Sequence, residues 1–133
     1  MLLEIAALYA GINILLLAGL AVLVMMGRRR HKIVLGDAGN QDFTRAVRAH
    51  ANAAEWIPAG LVGLVLLALF DPATPPWLVH AAGISLTAGR ILHGFGLHAG
   101  ALNAGRVLGM LLTLIAYLLI GGGLLYAGLS QQL

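Results

Sequence analysis

The sequence predicts an all-α membrane protein, an antiparallel bundle of four transmembrane helices. Hydrophobic residues make up 60% and charged residues 10% of the 133 residues, whereas a soluble domain carries about 25% charged residues. Four apolar stretches each reach the ~20 residues needed to cross a bilayer, and short links make neighbouring helices antiparallel. We expect a single domain over residues 1–133. Its helices are predicted at about residues 2–26, 43–70, 77–97 and 103–129.

The first stretch is predicted to be a retained membrane helix. Its only early charge is Glu4, and the basic cluster at residues 28–32 follows the apolar run, whereas a cleaved signal peptide has its basic residues first. The link after it contains a glycine-rich piece at residues 36–40, which lacks the spacing of a phosphate-binding loop. We therefore interpret that piece as a turn.

The second stretch begins with a polar third. On a helix, Arg45, Arg48, Asn52 and Glu55 fall at i, i+3, i+7 and i+10, on one face. A collar of side chains that reach back to the lipid headgroups explains Arg45. It does not explain Glu55, about two and a half turns nearer the apolar end. Ionisable groups inside a membrane mark a functional site by default, so we favour a functional cluster.

The third stretch follows a proline-rich turn at residues 71–76, which cannot continue a helix. It carries Arg90 and His93 one helical turn apart, near its inner end. Arg106 opens the fourth stretch, where Gly105 and Gly109 have the spacing that favours close helix contact.

The basic residues predict the orientation of the bundle. All eight lie on the side of the first and third links, which the positive-inside rule places in the cytoplasm with both termini outside. This distribution favours anionic lipid as a partner. It does not favour nucleic acid, because no basic face is interleaved with aromatic residues. The sequence has no cysteine and no His/Glu spacing typical of a metal site, so we predict no metal.

Together the polar side chains at the cytoplasmic level predict a cationic pocket with one carboxylate and one amide. Such a pocket suits a small ligand with more negative than positive groups, because arginine binds carboxylates in bidentate fashion. Glu55 could receive an ammonium group or pair with one of the arginines. The structural alternative is an internal ion-pair network without a ligand. Trp56 is either an interface anchor or a wall of this pocket.

Two motifs resemble a known family. The run Arg48-Ala-His-Ala-Asn52-Ala-Ala-Glu55-Trp56, then Gly89-Arg90-Ile-Leu-His93 and Arg106, is similar to MAPEG, the membrane-associated proteins in eicosanoid and glutathione metabolism. The resemblance covers nearly the whole chain and is to short bacterial members. It implies a bacterial inner-membrane location and a homotrimer. Each site would hold glutathione between the first two helices of one subunit and the last two of the next, near the cytoplasmic face.

The resemblance also implies roles for individual residues. Arg106 would be catalytic, because a cation beside the glutathione sulfur stabilises the thiolate. A basic residue near the end of the first helix would close the site. The residues predicted to bind glutathione are Arg28, Arg30, Arg45, Arg48, Asn52, Glu55, Trp56, Arg90 and His93.

Departures from the family pattern narrow the expected activity. Leu97 stands where many family enzymes have a tyrosine, and the four residues after Arg106 carry no hydroxyl group. We therefore do not expect prostaglandin synthase chemistry. The expected function is a glutathione transferase or peroxidase acting on hydrophobic electrophiles. The alternative is a non-catalytic trimer that binds an anionic ligand or a lipid headgroup.

Overall fold

The computed structural model describes residues 1–70, 73–99 and 103–130, and these form four α-helices. They are α1 (Leu2–His31), α2 (Gln41–Leu69), α3 (Pro76–Ala99) and α4 (Ala104–Ser130). No β-strand occurs within these ranges, so the predicted all-helical class and the number of helices are confirmed. Two residues of the predicted proline-rich turn, Asp71 and Pro72, lie outside the described residues.

Three helices, α1, α2 and α4, are long and apolar enough to cross a membrane. In the described part of the chain α3 does not meet the same criterion, although it was predicted to be a fourth span. The reason lies in its composition, since α3 carries His80, Arg90 and His93 among its apolar residues. The chain is an integral membrane protein, and its third helix carries charged and polar residues in its interior.

Helix α1 continues five residues past its predicted end at Met26 and includes the basic cluster. Arginine is a good helix former, and cations in the last turn are favoured by the helix dipole. The helix ends in a Schellman motif. Lys32 adopts the left-handed conformation with φ 54°, and the Ile33 N–H donates to the Arg28 carbonyl at 3.0 Å.

The glycine-rich link organises the start of α2, in agreement with its interpretation as a turn. The Asn40 side chain accepts a hydrogen bond from the Phe43 N–H at 3.0 Å and caps the helix. Asp37 accepts from the Thr44 hydroxyl at 2.7 Å and from the Gly39 N–H at 3.1 Å. These two hydrogen bonds, with the nearby charge of Arg48, lower the pKa of the Asp37 carboxyl.

The most extensive helix packing is between α3 and α4, and glycines make it possible. A Cβ atom on Gly109 would lie 2.5 Å from the His93 nitrogen and 2.6 Å from the Gly89 oxygen. A Cβ on Gly105 would lie 3.2 Å from the Leu92 oxygen. The predicted close contact at these two glycines of α4 is therefore confirmed.

The other contacts leave α2 and α3 at the centre of the bundle. These two pack against each other and against both outer helices, whereas α1 and α4 do not meet within the described ranges. Two apolar clusters fill the interior. One includes Tyr9, Leu64 and Ile120, and the other includes Leu20, Ile57 and Leu97. Between these clusters, along the helices, lie the buried polar residues Asn13, Arg90 and Thr113.

Candidate functional site

The polar layer is organised by Arg90, whose side chain is only 2% exposed. Its Nε and Nη2 donate to the Thr113 hydroxyl on α4 at 2.9 and 2.5 Å. Its Nη1 donates to Oδ1 of Asn52 on α2 at 2.7 Å. A longer bond of 3.5 Å joins Nη2 to the Gly109 carbonyl. One guanidinium thus connects three helices, and hydrogen bonds distributed in this way make a buried charge tolerable.

Thr113 and Tyr117 were not predicted to belong to the site. Thr113 accepts from Arg90 and donates to the Gly109 carbonyl at 2.8 Å. The Tyr117 hydroxyl donates to the Trp56 carbonyl at 2.6 Å, and the two rings meet edge to face with centroids 5.1 Å apart. A signal did exist, because Thr113 is the only polar side chain between Arg106 and Tyr117, and polar residues within membrane helices usually face a partner.

Beside this layer is a cleft of about 420 Å³ between α2, α3 and α4. It contains five of the residues predicted for the site, two of them arginines and one a carboxylate. The lining residues are Arg48, Ala51, Asn52, Glu55, His93, Leu97, Arg106 and Met110. The structure therefore brings together, from three helices, most of the polar side chains that the motifs identified.

The charged groups of the cleft are not paired with one another. In the described ranges the only ion pair is Arg45 with Asp42, at 3.4 Å on the surface of α2. Arg48 and Glu55 are exposed and have no hydrogen-bond partner in that part of the chain. Among the described residues of this chain, the groups of the cleft therefore form no internal ion-pair network. The cleft keeps two guanidinium groups and one carboxylate available to a ligand.

Orientation separates Arg90 from the cleft. The guanidinium of Arg90 points into the protein and reaches the cleft only through Asn52. Because Arg90 occupies the Asn52 oxygen, the amide nitrogen of Asn52 is the group left to donate toward the cleft. Arg90 therefore orients a cleft residue in this chain, and its contact with glutathione stays a prediction.

Four further residues predicted for the site do not line the cleft in this chain. Arg45 is paired with Asp42, and Trp56 packs against Tyr117. Arg28 donates to two carbonyls of the α1–α2 link at 3.3 Å, and Arg30 borders a separate recess between α1 and α2. The contribution of these four residues to glutathione binding stays a prediction.

One chain by itself supplies residues from three helices to the cleft, and the contribution of a neighbouring subunit stays a prediction. The resemblance implied that residues of the second helix meet those of the third and fourth across a subunit boundary. In the structure Arg48, Asn52 and Glu55 of α2 face His93 of α3 and Arg106 of α4 within the same chain. The reason is the packing order, in which α2 contacts both α3 and α4 directly.

Comparison with known proteins identifies the family of this chain. The sequence model of the MAPEG family matches residues 6–126, a range that includes every residue of the cleft. The chain belongs to the MAPEG family. It is also similar to the inner membrane protein YecN of Escherichia coli strain K12 and to YecN of Escherichia coli O6:H1. Each is 36% identical over 94 residues, which are 71% of this chain and 70% of the relative.

In this MAPEG protein a second, more apolar groove adjoins the cleft. It has a volume of about 340 Å³ and is lined by His93, Arg106, Val107, Met110 and Leu111. Val107 and Leu111 are exposed on the outer face of α4. His93 and Arg106 therefore border both a polar cleft and an apolar groove that opens on the surface of a candidate membrane span.

Leu97 and Met110 make one wall of the cleft apolar. Leu97 is the residue that stands where a tyrosine was expected, and it does line the cleft. The hydroxyl of Thr113 does not replace that tyrosine, because it is buried and bonded to Arg90 and Gly109. Within the described ranges, no three His, Asp or Glu side chains come close enough to hold a metal ion.

Proposed function

We propose that this MAPEG protein binds glutathione in the cleft and activates its thiol for transfer to, or reduction of, hydrophobic electrophiles. The observation that carries the proposal is the convergence of Arg48, Asn52, Glu55 and Arg106 in one cleft without internal ion pairs. Glutathione has two carboxylates, one ammonium group and one thiol. Its excess of negative charge matches two arginines and one carboxylate.

Each polar residue has a role in this proposal. Arg48 binds a carboxylate, Glu55 receives the ammonium group, and the Asn52 amide nitrogen donates to a further oxygen of the peptide. Arg106 lies at the N-terminus of α4, whose dipole also favours an anion. The Asn103 side chain accepts from the Arg106 N–H at 3.1 Å and so fixes this end of the helix. We assign Arg106 to the glutathione thiolate.

The adjoining apolar groove suggests how the second substrate arrives. An apolar electrophile dissolved in the bilayer would reach Arg106 along Val107 and Leu111 without crossing water. In conjugation the thiolate forms a bond to the electrophilic carbon, and the leaving group departs with its electron pair. In peroxide reduction the thiolate sulfur attacks one peroxide oxygen, the O–O bond breaks, and the other oxygen leaves as an alkoxide that is protonated to the alcohol. The thiol of a second glutathione then attacks the resulting sulfenic acid, which gives the disulfide and water.

The membrane arrangement is part of the same proposal. We infer an antiparallel bundle with both termini outside and the cleft on the cytoplasmic side, because the basic residues gather at that level. The name of the similar Escherichia coli proteins supports a location in the bacterial inner membrane. Assembly as a homotrimer follows from the family resemblance.

A second candidate function has an observation in its favour. The wall beside Arg106 consists of Leu97 and Met110 and supplies no hydroxyl group. A protein that only binds an anionic ligand or a lipid headgroup needs the arginines, but it does not need a hydroxyl group beside a reacting sulfur atom. The two functions differ in whether Arg106 holds a thiolate.

The first experiment measures binding of glutathione to the purified protein in neutral detergent by calorimetry. Arg48→Ala should weaken binding by about 2 kcal/mol, roughly 30-fold. This value is at the lower end of the range observed when one member of a charge pair is truncated, because Arg48 is open to solvent. Arg45→Ala is the matched control, since Arg45 is on the same helix but outside the cleft. Equal affinities for the wild type and Arg48→Ala would refute the proposed site.

The second experiment tests the chemistry. Thiolate absorbance in the ultraviolet should appear when glutathione is added at neutral pH. It should shrink in Arg106→Ala while most of the binding is retained. We expect slow turnover with chlorodinitrobenzene, because the cleft lacks a hydroxyl group beside the sulfur. Binding of glutathione without any thiolate signal below the titration of the free thiol would favour the non-catalytic candidate.

A further inference from the structure

A recess of about 300 Å³ lies between α1 and α2, apart from the cleft. Its walls are apolar and its rim is charged. The residues that line it are Leu23, Met26, Gly27, Arg30, His31, Asp42, Phe43 and Ala46. None of these residues lines the cleft, so the recess is a separate feature at the basic end of α1.

The recess exists because Phe43 packs where Gly27 has no side chain. A Cβ atom on Gly27 would lie 2.6 Å from Cδ2 of Phe43. The buried ring therefore sits directly against the α1 backbone and forms part of the wall. The guanidinium carbon of Arg28 lies 5.4 Å from the centroid of the ring. The same guanidinium donates to two carbonyls of the link.

The rim offers hydrogen-bond donors that are already oriented. Oδ1 of Asn40 accepts from the Phe43 N–H, so its amide nitrogen faces Nδ1 of His31 at 3.2 Å. Because an amide nitrogen can only donate, Nδ1 of His31 accepts this bond, and the ring proton is then on Nε2. Arg30 is exposed and has no hydrogen-bond partner in the described ranges. The carboxylate at the rim, Asp42, is paired with Arg45 at 3.4 Å.

Below this rim an apolar path leads toward the membrane. Leu23 and Met26 are 46% and 61% exposed, although both are apolar and belong to a candidate span. Met26 lies about one helical turn before Arg30, and Leu23 lies about two turns before it. The recess therefore presents a cation and a neutral donor above a strip that lipid tails would cover.

We propose that this recess binds one anionic phospholipid, with its phosphate at Arg30 and His31 and an acyl chain along Met26 and Leu23. Charge complementarity supports this occupant, because the neighbouring Arg29 and Lys32 are also cationic and the single acid at the rim is paired. The apolar strip favours a lipid over a free phosphate, because only a lipid has acyl chains that gain free energy when they are buried against it. This proposal does not depend on glutathione binding.

The test uses the full-length protein in neutral detergent at raised salt, where attraction to distant charges is screened. Dioleoyl phosphatidylglycerol is titrated by native mass spectrometry, with dioleoyl phosphatidylcholine as the neutral comparison. We expect tighter binding of the anionic lipid to the wild type and a loss of at least tenfold in Arg30→Gln. Arg29→Gln removes the same charge one residue away, outside the recess, and should stay within twofold. Equal losses in the two variants would overturn the site.

Two further measurements separate the lipid from other occupants. Met26→Asn should weaken phosphatidylglycerol binding at least threefold, and inorganic phosphate should not compete at millimolar concentration. Competition by phosphate, with Met26→Asn unchanged, would identify an anion site and overturn the lipid assignment. A loss of glutathione binding in Arg30→Gln would assign Arg30 to the glutathione site and refute the proposal.

Discussion

Replacing Thr113 by valine should separate the buried Arg90 from its main acceptor while preserving the shape of the side chain. The Thr113 oxygen accepts from both Nε and Nη2 of Arg90. In the wild type this hydroxyl connects α4 to Arg90 of α3 by hydrogen bonds, and Asn52 of α2 accepts a further hydrogen bond from the same guanidinium. The substitution leaves two donors of a charged group facing a methyl group.

The size of the effect follows from the charge of the donor. Hydrogen bonds to charged groups are worth about 1.5–3 kcal/mol, whereas bonds between membrane helices average about 0.6 kcal/mol with a maximum near 1.7. Because one oxygen serves both donors, we expect a loss of about 2 kcal/mol, roughly 30-fold in the unfolding equilibrium constant. Thr113→Ser keeps the hydroxyl and should recover most of this loss.

Unfolding in mixed micelles with increasing denaturing detergent measures the difference. Thr87→Val is the matched control, since the Thr87 hydroxyl accepts from the neutral amide of Asn13 at 2.7 Å. That variant should lose only about 0.6 kcal/mol. Equal losses in the two valine variants, or full stability of Thr113→Val, would refute the conclusion that Arg90 organises the polar layer.

Three further predictions concern other parts of the chain. Reporter fusions after Arg30 and at the C-terminus should indicate opposite compartments, and a cytoplasmic C-terminus would reject the orientation. Gly109→Ala should destabilise the bundle by about 1–3 kcal/mol through overpacking, measured in the same unfolding assay. Gly122→Ala, with no atom within 4 Å of the new Cβ, should not. The lowered pKa of Asp37 stabilises the link fully above the ordinary value of 3.8, and this contribution is lost as pH falls through the folded pKa. Thr44→Ala should raise that pKa in a carboxyl NMR titration, and an unchanged pKa would contradict the role of the hydroxyl.

The local sequence was sufficient to predict the class of the protein and the residues of α2 that line the cleft. Apolar composition and stretch length predict membrane helices, because the bilayer accepts few other structures. Helical periodicity placed Arg48, Asn52 and Glu55 on one face, and in the structure they line one cleft. These inferences succeed because they depend on neighbours within about ten residues.

The direction of each polar side chain depended on contacts that the sequence does not display. The motif that contains Arg90 would read the same whether its side chain faced a ligand or the protein interior. Its orientation is decided by hydrogen bonds to Asn52 and Thr113, which are 38 and 23 residues away in the sequence. The close approach of α3 and α4, permitted by facing glycines, brings Thr113 within reach. A buried guanidinium must find acceptors, and only the packed helices determine where those acceptors are.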